Sequence, residues 1–214
     1  MTSGLGIFGG TFDPIHTGHV ALALQVCRQL DLTQLRLMPT HLPPHRNSPT
    51  ASAEQRAAMV QLAIADYPSL SLDNRELMRN RTSYTIDSLR EMRRETGEQT
   101  PLFFILGMDS LNALDTWREW QQLTDCAHLL AVARPGQAWP AETSAVGAWL
   151  EGRVRRDLNA PAQACGQVIR LDADFPQSAT AIRAALRSGA SGHPWLAPRV
   201  AAYIQTHRLY PRDT

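Results

Sequence analysis

Two histidines and two glycines lie close together near the N-terminus of this 214-residue chain. They belong to the segment Gly9–His19, between the apolar run Leu5–Phe8 and the helical pattern Val20–Val26. A turn from strand to helix in a parallel sheet lies at the carboxyl edge of the strand, where ligands bind. Glycine lets the backbone approach a phosphate, and a helix N-terminus adds N–H groups and a positive dipole. His16 and His19 share a face of the first helical turn, so we expect both imidazoles to donate hydrogen bonds to a reacting phosphate.

Two simpler interpretations of the histidine pair stay open on these residues alone. The side chains could cap the helix or fill the core. They could also bind zinc, but no cysteine or further histidine stands nearby at ligand spacing, so the coordination shell would be incomplete.

A second candidate anion site lies near the C-terminus. Ser178 is a good N-cap for a helix, and Gly189 is a good stop for it. The hydroxyl groups of Ser178 and Thr180, the free N–H groups and Arg183 would surround the N-terminus of this helix. A capped helix with an arginine one turn in is common. This motif therefore indicates an anion site only in combination with the first motif.

A third motif follows the apolar run Leu102–Leu106. Gly107 permits close approach of a ligand, and Asp109 and Ser110 could contact a ribose and an adenine. Asp109 could equally be a plain helix cap.

The composition excludes several kinds of chemistry. All 21 basic residues are arginine, so a Walker-A lysine, a Schiff-base lysine and a lysine general base are excluded. Any phosphate clamp must then use arginine, histidine or backbone N–H groups. A net charge of +1 gives no general attraction to nucleic acid or membrane. Three widely spaced cysteines, without a signal peptide or an apolar run of spanning length, predict a cytoplasmic protein.

Short apolar runs alternate with helical patterns along the chain, which predicts an α/β fold with a doubly wound, mainly parallel, Rossmann-like sheet. We expect one domain over residues 1–214, with a variable peripheral segment around 135–166 and a small C-terminal helical part. In the helix predicted at Thr85–Glu95, Arg90, Arg93 and Arg94 should lie outside. The predicted strands are Leu5–Phe8, Leu35–Met38, Leu70–Leu72, Leu102–Leu106, Leu129–Ala133 and Val168–Leu171.

The first block resembles the His-Xaa-Gly-His signature of the nucleotidyltransferase superfamily, and in particular bacterial nicotinate-nucleotide adenylyltransferases. Ser178 to Arg183 resemble the superfamily's second signature, Ser-Xaa-Thr-Xaa-Ile-Arg, although Gln177 replaces the usual aliphatic residue before it. The resemblance covers nearly the whole chain apart from residues 135–166. It implies a nucleotidyltransferase-type fold.

The resemblance implies two sets of ligand contacts. For catalysis it points to His16, His19 and Arg183. For ATP it adds Gly9, Gly10, Thr11, Phe12, Gly107, Asp109, Ser110, Arg134, Ser178 and Thr180. For nicotinate mononucleotide it implies Thr40, His45, Arg46, Tyr84, Thr85 and Trp117, with the pyridine ring stacked on the tryptophan. Two departures, Thr40 for a common asparagine and Arg118 for a common aromatic residue, concern substrate discrimination. Trp120 is as easily a core residue as a stacking one.

The reaction that the resemblance implies is adenylyl transfer from ATP to nicotinate mononucleotide, which gives nicotinate adenine dinucleotide and pyrophosphate in NAD biosynthesis. Mg²⁺ would be carried on the ATP phosphates, with no dedicated protein metal site. Monomer and homodimer both stay open.

Three rival functions remain on the sequence. The first is a sister enzyme such as phosphopantetheine adenylyltransferase, and the second is a nucleotide-sensing protein that has lost turnover. A hydride-transferring enzyme is weaker, because no Gly-Xaa-Gly-Xaa-Xaa-Gly follows the first strand.

Overall fold

The computed structural model describes residues 4–40, 49–79, 82–155 and 163–212. Seven parallel strands form one sheet in the order β3-β2-β1-β4-β5-β7-β6. The strands are β1 Leu5–Gly10, β2 Gln34–Pro39, β3 Leu70–Leu72, β4 Leu102–Gly107, β5 His128–Ala133, β6 Val154–Arg155 and β7 Val168–Asp172. The helices are α1 Thr17–Gln29, α2 Ala53–Ile64, α3 Arg75–Met78, α4 Thr85–Thr96, α5 Met108–Asn112, α6 Leu123–Cys126, α7 Ala145–Leu150, α8 Ala179–Arg187 and α9 Pro198–Thr206. The predicted α/β class and parallel sheet are confirmed.

The order of the strands creates a crevice at the middle of the sheet. From β1 the chain winds outward through β2 to β3, and it then returns to place β4 on the other side of β1. Such a reversal separates the connections at the carboxyl ends of the two central strands and opens a space for a ligand. The first and third sequence motifs follow β1 and β4, so the topology brings them to the two sides of this crevice.

Both faces of the sheet are covered, which is why its central strands read as continuous apolar runs. Successive side chains point to opposite faces: Phe103 and Ile105 pack with α1, α2, α8 and α9, whereas Phe104 and Leu106 pack with α4, α5, α6 and α7. The predicted runs were one or two residues too short at half of their ends, where the flanking residues are Gly, Pro or polar.

Arg93 corrects the prediction for α4. We expected it outside with Arg90 and Arg94, but its side chain is buried. Its guanidinium donates five hydrogen bonds to the carbonyl oxygens of Cys126, Gly97, Thr100 and Ala164. Arginine carries five N–H donors and can satisfy several buried carbonyls at once, so a position that reads as solvated becomes a structural cross-link.

The segment 135–166 contains two short elements in its described part. One is the short helix α7, and the other is the strand β6, which the sequence did not predict and which pairs with β7. Two residues of strand are too few to give a periodic signal. Among the described residues, no helix has the length and apolar character needed to cross a membrane.

The chain near its C-terminus is tied to the turn after β1. Tyr210 is buried, and its hydroxyl donates to Asp13 Oδ1 at 2.7 Å. The same carboxylate accepts hydrogen bonds from the backbone N–H groups of Thr50 and Ala51, at 2.8 Å and 3.1 Å. Burial, then the nearby Asp13 carboxylate, raises the pKa of Tyr210, so the phenol remains a donor. One carboxylate thus joins three distant parts of the chain.

We predict that Tyr210→Phe lowers the free energy of unfolding by about 1–3 kcal/mol, because the buried Asp13 carboxylate loses a donor. Chemical denaturation of the variant and the parent would measure the loss. Tyr67→Phe, at a tyrosine that is 38% exposed, is the matched control and should change little. Equal stability of Tyr210→Phe and the parent would contradict this role for the hydroxyl.

Candidate active site

A cavity of about 890 Å³ opens at the carboxyl ends of β1 and β4. This volume lies within the range of small-ligand sites. Sixteen of the nineteen residues that the sequence points to line it: Gly9, Gly10, Thr11, Phe12, His16, His19, Thr40, Tyr84, Thr85, Gly107, Asp109, Ser110, Trp117, Arg134, Thr180 and Arg183. Two others, His45 and Arg46, lie outside the described residues. Segments far apart in the sequence therefore meet around one space.

The two histidines form a stacked pair at the start of α1. His16 is the N-cap residue, and its ring lies parallel to that of His19 with 3.6 Å between centroids. The backbone N–H of His16 donates to His19 Nδ1 at 3.2 Å. Because Nδ1 accepts this bond, a neutral His19 carries its proton on Nε2 and offers a donor there. One of the helix N–H groups is already used, since the Thr17 N–H donates to the Trp195 carbonyl.

Both imidazoles are held neutral at physiological pH. Burial, together with the positive charge of Arg134, lowers the pKa of His16 from 6.5 to about 4. Burial, then the charges of His16 and Arg134, lowers the pKa of His19 well below 6.5. Desolvation disfavours the charged ring in each case. The pair can act as hydrogen-bond donors without carrying a fixed charge.

Two buried polar atoms in the cavity wall have no partner within the described part of the chain. They are Nδ1 of His16 and Oγ1 of Thr40. A buried polar atom without a partner costs free energy, and such atoms are rare in folded proteins. They lie at the start of α1 and just after β2, so the packing of the histidine turn leaves polar groups unpaired beside the cavity.

The second motif meets the first one directly. Arg183 on α8 donates to the backbone carbonyl of Asp13 at 2.6 Å and to the hydroxyl of Thr180 at 3.3 Å. A Cβ at Gly18 would stand 2.8 Å from Oε1 and 3.0 Å from Cβ of Gln177, so the glycine lets α1 pack closely against this residue just before α8. Gln177, which replaces the usual aliphatic residue, therefore lies at the contact between the two motifs.

Ser178 has a different environment from the one expected. Its hydroxyl accepts the N–H of Ala181 at 3.4 Å, as the predicted N-cap of α8. It does not appear among the described residues that line the cavity. Thr180 and Arg183, two and five residues further along, do line the cavity.

The segment after β4 is braced by a residue that the sequence did not single out. The side-chain amide of Gln137 donates to Asp109 Oδ1 at 2.8 Å, and its oxygen accepts the backbone N–H of Arg134 at 2.9 Å. It therefore connects two predicted nucleotide-binding segments. A glutamine after a Pro-Gly turn gives no local sign of this contact.

Three further residues at the site were missed. Asp13 organises the turn after β1, as described above, and Arg187 lines the cavity one helical turn after Arg183. Arg56 is almost fully buried, and its Nη1 donates to the carbonyl of Thr11 at 2.8 Å. An arginine in an amphipathic helix normally indicates a solvated face, so only the tertiary contact reveals its role.

The opposite wall of the cavity is aromatic. Trp117 lines the cavity and packs its ring edge-on against Phe104, with 6.4 Å between centroids. Trp120 instead packs against Trp149 at 5.2 Å and does not line the cavity. The structure thus separates the two tryptophans that the sequence left undecided. Tyr84 is the N-cap of α4 and Thr85 its first residue, so the positive end of this helix faces the same space.

The donors around the cavity suit an anion better than a bare metal ion. In the described ranges, no group of three or more histidine, cysteine, aspartate or glutamate side chains could hold a metal. The carboxylate nearest the histidine turn, Asp13, already accepts three hydrogen bonds. Guanidinium groups and backbone N–H groups, which donate hydrogen bonds, are instead typical of a polyphosphate site.

Acid should destabilise the folded protein through His16. The unfolded side chain takes up a proton near pH 6.5, whereas the folded one does so only near pH 4. Between these values the unfolded state binds more protons, so the free energy of unfolding falls as the pH falls. This group alone contributes a loss on the order of 3 kcal/mol.

Denaturation curves of the parent and His16→Asn between pH 7 and 4 would test this. The variant should lose less stability over that range than the parent, while His207→Asn, at an exposed histidine, should follow the parent. A parallel decline in His16→Asn and the parent would refute the linkage.

Comparison with known proteins agrees with this geometry. Residues 7–185 match the cytidylyltransferase-like family. The chain is 48% identical over 219 residues to a protein of Cellvibrio japonicus named probable nicotinate-nucleotide adenylyltransferase, which covers 98% of this chain and 100% of that one. A protein of the same name from Aeromonas hydrophila is 45% identical over 210 residues, covering 96% of each chain.

A solved structure shares the fold. Nicotinic acid mononucleotide adenylyltransferase of Plasmodium falciparum, complexed with NaAD, superposes with a TM-score of 0.72 over 97% of both chains at 16% identity. At that identity the likeness concerns the fold alone. The family match and the bacterial relatives carry the assignment further: this chain belongs to the cytidylyltransferase-like family, among its nicotinate-nucleotide adenylyltransferases.

Proposed function

We propose that this chain transfers the adenylyl group of ATP to nicotinate mononucleotide, producing nicotinate adenine dinucleotide and pyrophosphate. The observation that carries the proposal is the contact between Arg183 and Asp13, at 2.6 Å. It joins the two phosphate-binding motifs, 170 residues apart, at one cavity that also has an aromatic wall for a second substrate. The names of the bacterial relatives support the same reaction.

The acceptor needs no general base. Its phosphate monoester is largely ionised at neutral pH, since the second pKa of such a group is about 6. An acceptor phosphate oxygen attacks the α-phosphorus of ATP and forms the new P–O bond. The bond from the α-phosphorus to the bridging oxygen breaks, and pyrophosphate leaves with that electron pair. Catalysis then rests on alignment and on stabilisation of charge.

His16 and His19 are the groups that we place at the reacting phosphate. Nε2–H of His19 and the imidazole of His16 would contact the α-phosphate and the bridging oxygen. A neutral donor stabilises charge as it develops and carries no net charge to attract the ground state more strongly. The low pKa values of both rings support this role.

Arginines would hold the leaving pyrophosphate. Arg183, with Thr180 and the N-terminus of α8, is placed for the outer phosphates, and Arg134 approaches them from the β5 side. Arg134 is near enough to the two histidines to lower their pKa values. A planar guanidinium keeps its charge and binds phosphate at two points.

The nucleoside and the acceptor would occupy the two ends of the cavity. Gly107, Asp109 and Ser110 would contact the adenosine, and open space stands where a Cβ of Gly107 would be. The glycine turn Gly9, Gly10, Thr11 and Phe12 would lie along the phosphates, with Ser178 acting through the cap of α8. The pyridine ring would stack on Trp117, with Tyr84, Thr85 and Thr40 around it. His45 and Arg46, which lie outside the described residues, stay predicted contacts of nicotinate mononucleotide.

Mg²⁺ is proposed to enter on the ATP phosphates. The donor set fits this arrangement, because N–H groups and guanidinium groups bind phosphate oxygens and leave others for the metal. When bound, Mg²⁺ neutralises part of the polyphosphate charge.

The three cysteines are free thiols, which supports a reducing, cytoplasmic setting.

The purified protein should release pyrophosphate from Mg-ATP when nicotinate mononucleotide is added, and the new dinucleotide should appear in equal amount. Phosphopantetheine, offered in its place, should give no release above background. Turnover with phosphopantetheine alone would replace this proposal with the sister reaction, and ATP binding without any pyrophosphate release would replace it with a sensor.

Replacement of either cavity histidine should cost at least about 2–3 kcal/mol of transition-state stabilisation, by analogy with the loss of one oxyanion donor. We expect His16→Ala and His19→Ala to lose kcat far more than they raise KM for ATP. His207→Ala is the matched control, because that histidine is exposed and stacks only on Tyr203. Turnover at the parent's rate in a folded His19→Ala protein would overturn the proposed contact.

A further inference from the structure

Arg118 is a cation at the aromatic wall of the cavity. It follows Trp117 directly, and both side chains line the cavity together with Tyr84. The guanidinium carbon of Arg118 lies 5.0 Å from the centre of the Tyr84 ring, in cation–π contact. A positive group therefore stands over the residue that caps α4.

Two contacts hold this guanidinium in place and leave its ends unused. The Tyr84 ring takes one face of the group. Nε also forms an ion pair with Oε1 of Glu119 at 3.3 Å, while the other carboxylate oxygen of Glu119 accepts a hydrogen bond from Arg90. Neither contact uses the two terminal nitrogens of Arg118. The side chain is 52% exposed, so a ligand can reach them.

The electrostatics of this wall include a second acid besides Glu119. Glu76 lines the cavity, but its Oε1 accepts the hydroxyl hydrogen of Ser88 at 2.8 Å, and burial raises its pKa. The N-terminus of α4, at Tyr84 and Thr85, adds the positive end of a twelve-residue helix. Together with Arg118, this end of the cavity favours a negative group.

The chemistry of the two forms of the pyridine substrate decides what Arg118 can distinguish. Backbone N–H groups at the start of α4 can donate to a carboxylate oxygen or to an amide oxygen, so they separate the two forms weakly. A guanidinium has donors only. It forms charge-assisted hydrogen bonds with a carboxylate, but the NH₂ end of an amide meets it donor to donor.

We propose that Arg118 is a specificity-determining residue that selects the nicotinate carboxylate over the nicotinamide group of the acceptor. The inference rests on the proposed function. It extends that function by assigning the choice between the acid and the amide substrate to one side chain. With the ring on Trp117, the carboxylate lies between the start of α4 and the terminal nitrogens of Arg118.

The test compares two acceptors in three variants at saturating Mg-ATP. In Arg118→Gln, KM for nicotinate mononucleotide should rise about tenfold, while kcat, KM for ATP and KM for nicotinamide mononucleotide change little. Arg118→Lys keeps the charge and should recover part of the preference for the acid. Arg94→Gln, at an exposed arginine on the outer side of α4, is the matched control and should behave as the parent.

The outcomes separate this inference from the proposed function. If Arg118→Gln turns over nicotinate mononucleotide with the parent's ratio of kcat/KM for the two acceptors, the inference is wrong and the proposed function stands. If KM rises equally for both acceptors, Arg118 only shapes the pocket, and the inference is again wrong. If the parent uses neither acceptor, the proposed function fails and the inference falls with it.

Discussion

The hydrogen bond from Arg183 to the carbonyl of Asp13 is the contact on which the site depends. It closes the distance between a helix late in the chain and the turn after the first strand. On the other side of the same turn, the Asp13 carboxylate binds Tyr210 and the start of the segment that leads into α2. The guanidinium of Arg56 also donates a hydrogen bond to the carbonyl of Thr11 in this turn. The turn is thus fixed from several directions, which is what catalysis by alignment requires.

The close packing of this turn also determines which side chains in the cavity carry a charge. Burial keeps both histidines in their neutral form, so the cationic character of the cavity comes from the arginines that line it. In the proposed reaction, the permanent charge of the arginines would attract the polyphosphate, and the neutral histidines would stand at the reacting phosphorus. A composition without lysine is consistent with this division, because guanidinium groups hold their charge even when they are partly desolvated.

Much of the fold was predictable because it has local causes. Buried parallel strands need continuous apolar residues, and Ser178 and Gly189 mark the ends of α8 by their own conformational preferences. The motif residues could be assembled into one cavity because parallel strands place their carboxyl ends at one edge. What could not be predicted is held by contacts across the chain. Arg93, Arg56 and Gln137 look like surface residues in their local sequence, and only the tertiary structure gives them carbonyl or carboxylate partners.

The pairing of Asp13 with Tyr210 has a consequence for biosynthesis. The first strand and its turn leave the ribosome early, but the partner that completes the hydrogen bonding of that turn is 197 positions later. Contacts so distant in sequence form late, since the loop between them must close first. A nascent chain can therefore assemble most of its sheet while it is still being translated, yet its substrate turn stays incomplete until residue 210 has emerged.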